Sequence, residues 1–379
     1  MHAKKFKQLF LHIGLGKTGT TTIQQDILAN AELLETKYDV HYPRRFSHAD
    51  RYEGNHSVLL RALFSNAPAV RQRLSAIGIP DQEAIDKFNK LTMNRLLRSF
   101  EKTSADQLLL SAESVGHFRQ AQMTELFSWL NELSESITVV ACLRHPVHAL
   151  SSEIQQRLKK GEDLETMYTN PPHYLFKKLF TRLENAFGKE NLIAYSFADA
   201  VQQDCGLTAA FFRQIGIVAD DDFPKSKPIN TSISHEGALL LSSVNRQRPV
   251  MLEGARNPAR NLVDLDYFRD LPGRPYRAPA EVYNLVKESV AVDVQWAEQE
   301  YDIDLGRPEQ IEVESYRSFS EQSIDFIADQ LVQGSSQRHS IIQRQRHPLT
   351  QKVIDIVAHP SLIFYKALSL FGIGRLSSK

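Results

Sequence analysis

The chain has 379 residues, with 45 Lys+Arg against 45 Asp+Glu, and this zero formal net charge argues against a general nucleic-acid binder while leaving room for a local basic patch that holds an anion. With 42% hydrophobic and 24% charged residues it reads as a soluble globular protein with ample core for one large domain or two ordinary ones. Only Cys142 and Cys205 are present, and neither forms a CxxC pair. No disulfide framework or structural zinc site is therefore expected, and a reducing compartment fits best.

The run Leu9-Phe10-Leu11-His12-Ile13 is short, apolar and bounded by Gly14, which predicts a buried strand of a parallel sheet. The residues MHAKKFKQ ahead of it leave no room for a secretory or anchoring segment, so a cytoplasmic protein is expected. Ile23, Ile27, Leu28 and Leu34 then recur at helical spacing, with Thr20 or Thr21 as N-cap. The loop Gly14 to Gly19 thus joins a strand end to a helix start. Glycines let backbone wrap closely around an anion, the first helical N–H groups have no intrahelical partner, and Lys17 adds a positive charge. The plainer alternative is a tight turn whose lysine faces solvent. Gly16-Lys17-Thr18 ends like a Walker A loop, but GxxxxGK[ST] needs a glycine where Leu11 stands in the strand.

Tyr38 to Pro43 reads as a second short strand stopped by proline. Arg44 and Arg45 open a polar stretch that runs to His56, which serves either as a substrate contact on the ligand side of the sheet or as a capping histidine. Leu59 to Phe64 and Val70 to Phe100 are scaffold helices interrupted by Pro80. Asp106 to Ser111 is a third buried strand, and Ala112-Glu113-Ser114 sets a carboxylate at its carboxyl end, where such sheets bind ligands. Met123 to Leu133 is an amphipathic helix with Leu126, Trp129, Leu130 and Leu133 facing the core. Ile137 to Leu143 is a β-branched fourth strand leading into Arg144-His145-Pro146 and a helix from Val147 to Lys160. Arg144 either holds a ligand or makes a structural salt bridge.

Asn191 to Phe197 is a fifth strand, followed by helices over Leu207 to Ile217, Ser234 to Asn245 and Tyr283 to Tyr301. Strands alternating with helices imply an α/β fold with a central parallel sheet. The loops Arg256 to Asn261 and Pro272 to Pro275 are basic enough to close over an anion. Composition changes after about residue 313, which predicts a domain over 1–315 and a helical, basic extension over 316–379. From Arg338 onward the basic residues Arg338, Arg344, Arg346, Lys352, Lys366, Arg375 and Lys379 face only Asp355. It reads as an amphipathic tail for a membrane surface or a second copy of the chain, or else as an ordinary helix packed on the domain. It holds no apolar run long enough to span a bilayer.

The sequence Lys17-Thr18-Gly19-Thr20-Thr21 resembles the 5′-phosphosulfate loop of the PAPS-dependent sulfotransferases. Val139 through Pro146, with Ser152 eight residues after Arg144, is similar to their 3′-phosphate element of a strand, R-x-P and a serine. The resemblance spans roughly residues 6 to 310, leaves the extension outside, and implies a P-loop-like three-layer fold of a bacterial, carbohydrate-type branch. It implies that Gly16, Lys17, Thr18, Gly19, Thr20, Thr21 and Thr22 cradle 3′-phosphoadenosine-5′-phosphosulfate (PAPS), that Arg144 and Ser152 hold its 3′-phosphate, and that no metal is needed. Lys17 then stabilises the leaving oxygen and Glu113 takes the acceptor proton, with His56 as the reserve base. The acceptor is a hydroxyl, on this resemblance that of a carbohydrate or glycolipid. Family members that work in the Golgi carry an N-terminal anchor, and the cytoplasmic setting expected here sets the chain apart from them.

Several positions depart from the pattern. Thr22 stands where cytosolic members often carry an adenine-packing tryptophan, which leaves Tyr195 or Phe197 for that task. Ser111 replaces a common lysine, and no R-K-G element supplies a second 3′-phosphate contact. The two motifs are expected at opposite strand ends of one sheet. Two other classes compete: a P-loop ATP-dependent kinase, which needs a Walker B aspartate although Asp106 precedes its strand, and a non-catalytic nucleotide- or glycan-binding protein, which has no use for Glu113.

Overall fold

The computed structural model describes residues 5–44, 54–65, 81–203, 206–218, 232–252, 255–257 and 270–308, with a few isolated positions besides. Alternate side chains of β1 (Phe6–His12) set the layers. Leu9 and Leu11 enter one core with Leu108, Leu110, Val139 and Ala141, whereas Phe10 enters a second with Leu109, Val140 and Cys142. A strand buried on both faces needs apolar residues at every position, which is why these stretches read as unbroken hydrophobic runs. β1 is the middle of a five-stranded sheet of order β2-β3-β1-β4-β5, with β2 at Val40–His41, β3 at Gln107–Ser111, β4 at Ser134–Leu143 and β5 at Leu192–Ser196. Every pairing in it is parallel. The expected α/β class with a central parallel sheet is what the chain forms.

Helices α1 (Thr20–Ala29) and α2 (Ala31–Tyr38) cover the second core. Helices α3 (Ser57–Phe64), α4 (Gln82–Lys102), α5 (Gln120–Leu133), α6 (Pro146–Lys159), α7 (Leu164–Thr169) and α8 (Phe176–Phe187) contribute to the first. After β5 come α9 (Phe197–Gln202) and α10 (Gly206–Gln214) on the second core, then α11 (His235–Gln247) and α12 (Ala280–Tyr301) on the first. A short antiparallel pair, β6 (Met251–Leu252) and β7 (Ala255–Arg256), lies between the last two helices.

Three expectations are corrected. β4 begins at Ser134, directly out of α5, because Phe6 and Gln8 at the start of β1 pair with Ser134 and Ser136; the polar Ser134-Glu135-Ser136 shows no strand pattern by itself. The N-cap of α1 is Gly19, not Thr20 or Thr21. Gly19 has φ 76°, a left-handed backbone that favours glycine, and a Cβ there would also push against the end of the Leu207 side chain. The third concerns the two motifs. β1 and β4 are parallel neighbours, so the turns that follow them leave the same edge of the sheet and not opposite ends.

Asp106 lies at the other edge, ahead of β3, 2.6 Å from Lys7. Residues 316–379 lie outside the described residues apart from Phe319 and the positions 322–323 and 326–327, as do Arg45, Cys205 and Arg260. Ser323 donates to the Pro272 carbonyl at 2.7 Å. Among the described residues no helix is long and apolar enough to cross a membrane.

Burial alone pushes the His12 imidazole down to about 3, and burial is also the main cause that lowers His56 to about 4. Both folded values lie below that of an unfolded histidine, so between about pH 4 and 6.5 the unfolded chain binds more protons and stability falls as pH falls. The loss amounts to roughly 1.4 kcal/mol per pH unit for each of the two histidines. Urea midpoints measured from pH 7.5 to 4.5 should decline steadily below pH 6.5, and less steeply in His12→Gln.

Candidate functional site

The loop after β1 closes on itself before it meets any other element. Thr18 donates its hydroxyl to the Leu15 carbonyl at 2.7 Å, and Lys17, φ 68°, turns the chain through the left-handed region. A non-glycine residue in that conformation is held there by its surroundings. Helix α1 then starts with no acidic residue in its first turn and, among the described residues, no side-chain cap. The N–H groups of Thr20, Thr21 and Thr22 precede the first intrahelical bond and face the loop's end. Positive partial charge therefore collects beside Lys17.

Arg144 reaches the lysine turn from the neighbouring strand. It follows β4 directly, and its Nη1 donates to the Lys17 carbonyl at 2.9 Å while its guanidinium lies 4.8 Å from the Phe197 ring centre. Its Nε and the Thr20 hydroxyl are buried and have no hydrogen-bond partner among the described residues. Two orphaned donors beside an uncapped helix start suit an oxyanion with several oxygens, because buried polar groups otherwise cost free energy. Burial lowers the affinity of both Lys17 and Arg144 for their protons, which adds to the reason for an anion here.

Glu113 opens a short 3₁₀ turn (Glu113–His117) straight after β3, half-buried. Together with Glu153 it raises the Lys17 pKa against the effect of burial, with Glu153 the stronger of the two. Glu153 was not among the residues singled out from the sequence. Its side chain is only 12% exposed and is bonded to Arg157 at 3.0 Å, a spacing of four residues that reads in sequence as an ordinary helix-surface pair. Ser152 lies one residue earlier on the second turn of α6, partly buried.

The structure separates His56 from this group. Its Nδ1 accepts the Ser111 N–H at 3.0 Å and its Nε2–H donates to the Pro43 carbonyl at 3.1 Å, within a fully buried pocket beside Tyr42. Both ring nitrogens are engaged by backbone, which leaves none for a substrate. Ser111 is itself a hub, since its hydroxyl also meets His12 Nδ1 at 2.9 Å and Gln24 Nε2 at 3.0 Å. The network ties the ends of β1 and β3 to α1, two residues ahead of Glu113. Tyr195 is 6% exposed inside the second core and offers no face to a base, and Phe197 carries Arg144. Arg274 is exposed in its turn, while the side chain of Arg256 lies outside the described residues.

No family model and no curated protein matches the chain. Among solved structures it is similar to a sulfotransferase from Alicyclobacillus acidocaldarius, at 14% identity and TM-score 0.40 over 78% of this chain and 96% of that one. It is also similar to the sulfotransferase domain of the Synechococcus PCC 7002 olefin synthase, at 12% identity and TM-score 0.33 over 76% and 96%. A third is the sulfotransferase domain from the curacin biosynthetic pathway, at 10% and 0.34 over 76% and 98%.

His56→Ala removes the partners of one buried N–H and one buried carbonyl and should lower unfolding stability by about 2–4 kcal/mol in urea titration. An unchanged midpoint would contradict the backbone-bridging geometry.

Proposed function

We propose that the chain is a PAPS-dependent sulfotransferase that sulfates a hydroxyl of a carbohydrate or glycolipid and releases 3′-phosphoadenosine-5′-phosphate (PAP). One observation carries the reading: the lysine turn and the arginine turn follow adjacent parallel strands and touch, Arg144 on the Lys17 carbonyl, and Arg144 Nε and the Thr20 hydroxyl are buried with no hydrogen-bond partner among the described residues. Neighbouring strands stand about 4.8 Å apart, so both phosphate groups of one nucleotide fall within reach of the two turns. PAPS, when bound, supplies the sulfuryl group and a phosphate as its leaving group. Lys17 and the N–H groups of Thr18 to Thr22 hold the charge that gathers on the leaving oxygen, while Arg144 and Ser152 grip the 3′-phosphate. Glu113 takes the acceptor proton, because it is the carboxylate that follows β3 and stands in electrostatic contact with Lys17. Glu153, tied to Arg157, keeps the lysine charged.

The kinase reading has less to stand on, since Asp106 sits at the edge of the sheet away from the loop and pairs with Lys7. The preference for a glycan or glycolipid rests on the glutamate in the base position and on the resemblance of the two motifs. A cytoplasmic setting, and an extension over 316–379 that meets a membrane surface or a second copy, complete the proposal.

Titration calorimetry with PAP and with ATP, each with and without magnesium, is the direct test. PAP should bind without magnesium and ATP should bind weakly; tight, magnesium-dependent ATP binding would favour the kinase. Lys17→Ala should weaken PAP by at least about tenfold. Glu113→Gln should leave PAP affinity unchanged and lower sulfate transfer to a glycan panel by roughly a hundredfold to ten-thousandfold. Undiminished transfer would remove Glu113 from the base role.

A further inference from the structure

The segment from Asn170 to Leu175 joins α7 to α8 and is seated at both ends. Pro171 and Pro172 are buried, Phe176 is 1% exposed, and Asp293 of α12 accepts the N–H groups of Phe176 at 2.5 Å and Lys177 at 3.0 Å. This rigid stretch carries Tyr174 to the loop after β1. A Cβ on Gly16 would lie 1.9 Å from the Tyr174 hydroxyl oxygen and 2.7 Å from its Cζ. At 16 it is this close approach, and not φ, that favours glycine, because a side chain there would push the Tyr174 ring aside. The next residue is Lys17, left-handed at φ 68° and held by Arg144 on its carbonyl.

We propose that Tyr174 is a positioning residue of the transfer site: packed on Gly16, it acts with Arg144 to clamp the Lys17 turn in its left-handed form, so that the ammonium stays shielded and aimed at the donor. This rests on the sulfotransferase reading for its purpose, though not for its geometry. The surroundings of the tyrosine agree with it. Burial first, then Glu153 and Glu113, raise the phenol pKa, so the hydroxyl stays protonated, and the Gly16 backbone offers it a hydrogen bond. Glu153 and Glu113 are also the two carboxylates that act on Lys17, which puts both side chains in one pocket of charge.

The test uses the full chain and Tyr174→Ala, Tyr174→Phe, Gly16→Ala and the double variant Gly16→Ala/Tyr174→Ala. Thermal melting checks folding, the rate of Lys17 labelling by an amine-reactive reagent is followed against pH by mass spectrometry, and PAP affinity is read by calorimetry. In Tyr174→Ala the labelling midpoint should move up by about half a pH unit or more, toward an ordinary lysine, and Tyr174→Phe should move it less. Gly16→Ala should shift the midpoint in the wild-type background and have at most about a third of that effect when Tyr174 is already alanine. PAP should bind Tyr174→Ala about tenfold more weakly.

If the alanine variant melts far below the wild type, Tyr174→Leu, which removes the ring from Gly16 but keeps apolar bulk, carries the same comparison alone and with Gly16→Ala. An unmoved labelling profile, or an equal effect of Gly16→Ala in both backgrounds, overturns the positioning role. If wild type fails to bind PAP while labelling shifts as described, the sulfotransferase reading falls and the clamp stands.

Discussion

The hydrogen bond from Arg144 to the Lys17 carbonyl depends on β1 and β4 lying side by side and running the same way. Antiparallel or separated strands would put the two turns on different edges, and the proposed anion site would be lost. Parallel pairing needs strands buried on both faces, hence the unbroken apolar runs of Leu9 to Ile13 and Ile137 to Leu143. Packing and chemistry are therefore one requirement in this region. The core residues that hold β4 against β1 also fix the distance from a guanidinium to a lysine turn.

Around that contact the chain arranges two kinds of polar group. Some are satisfied and rigid: Ser111 engages His12, Gln24 and His56, and so pins the carboxyl ends of β1 and β3 where Glu113 begins its 3₁₀ turn. Others are buried without partners among the described residues, and these include Arg144 Nε, the Thr20 hydroxyl and His12 Nε2. Buried polar atoms are nearly always paired, and the His12 ring is itself bonded through Nδ1 alone among the described residues, its Nε2 being without a partner. Net charge says nothing of this, because Lys17 and Arg144 are offset elsewhere in a chain that sums to zero.

The strands of the sheet and the two loops that follow β1 and β4 were legible because they depend on local signals: apolar runs, glycines, a lysine and an R-x-P. What was not legible depends on residues far apart in sequence. Tyr174 belongs to a loop with no periodicity, and only the fold brings it to Gly16. Glu153 resembles a surface helix residue until α6 is packed. His56 follows a short strand, as a ligand-facing histidine does, but Tyr42 and the Pro43 carbonyl enclose it. Ser134 to Ser136 became strand because β1 needed a partner along its whole length, a tertiary demand that overrides their polar composition.

Asp293 seats the segment that carries Tyr174, so a carboxylate on a helix near residue 300 and a turn near residue 17 belong to one cooperative unit. The smallest fragment that could be excised with its chemistry intact must therefore extend through Tyr301. A shorter piece ending after β5 would retain all five strands and both motifs, yet α8 would lose the acid that seats its first amides and the wall beside Gly16 would come loose.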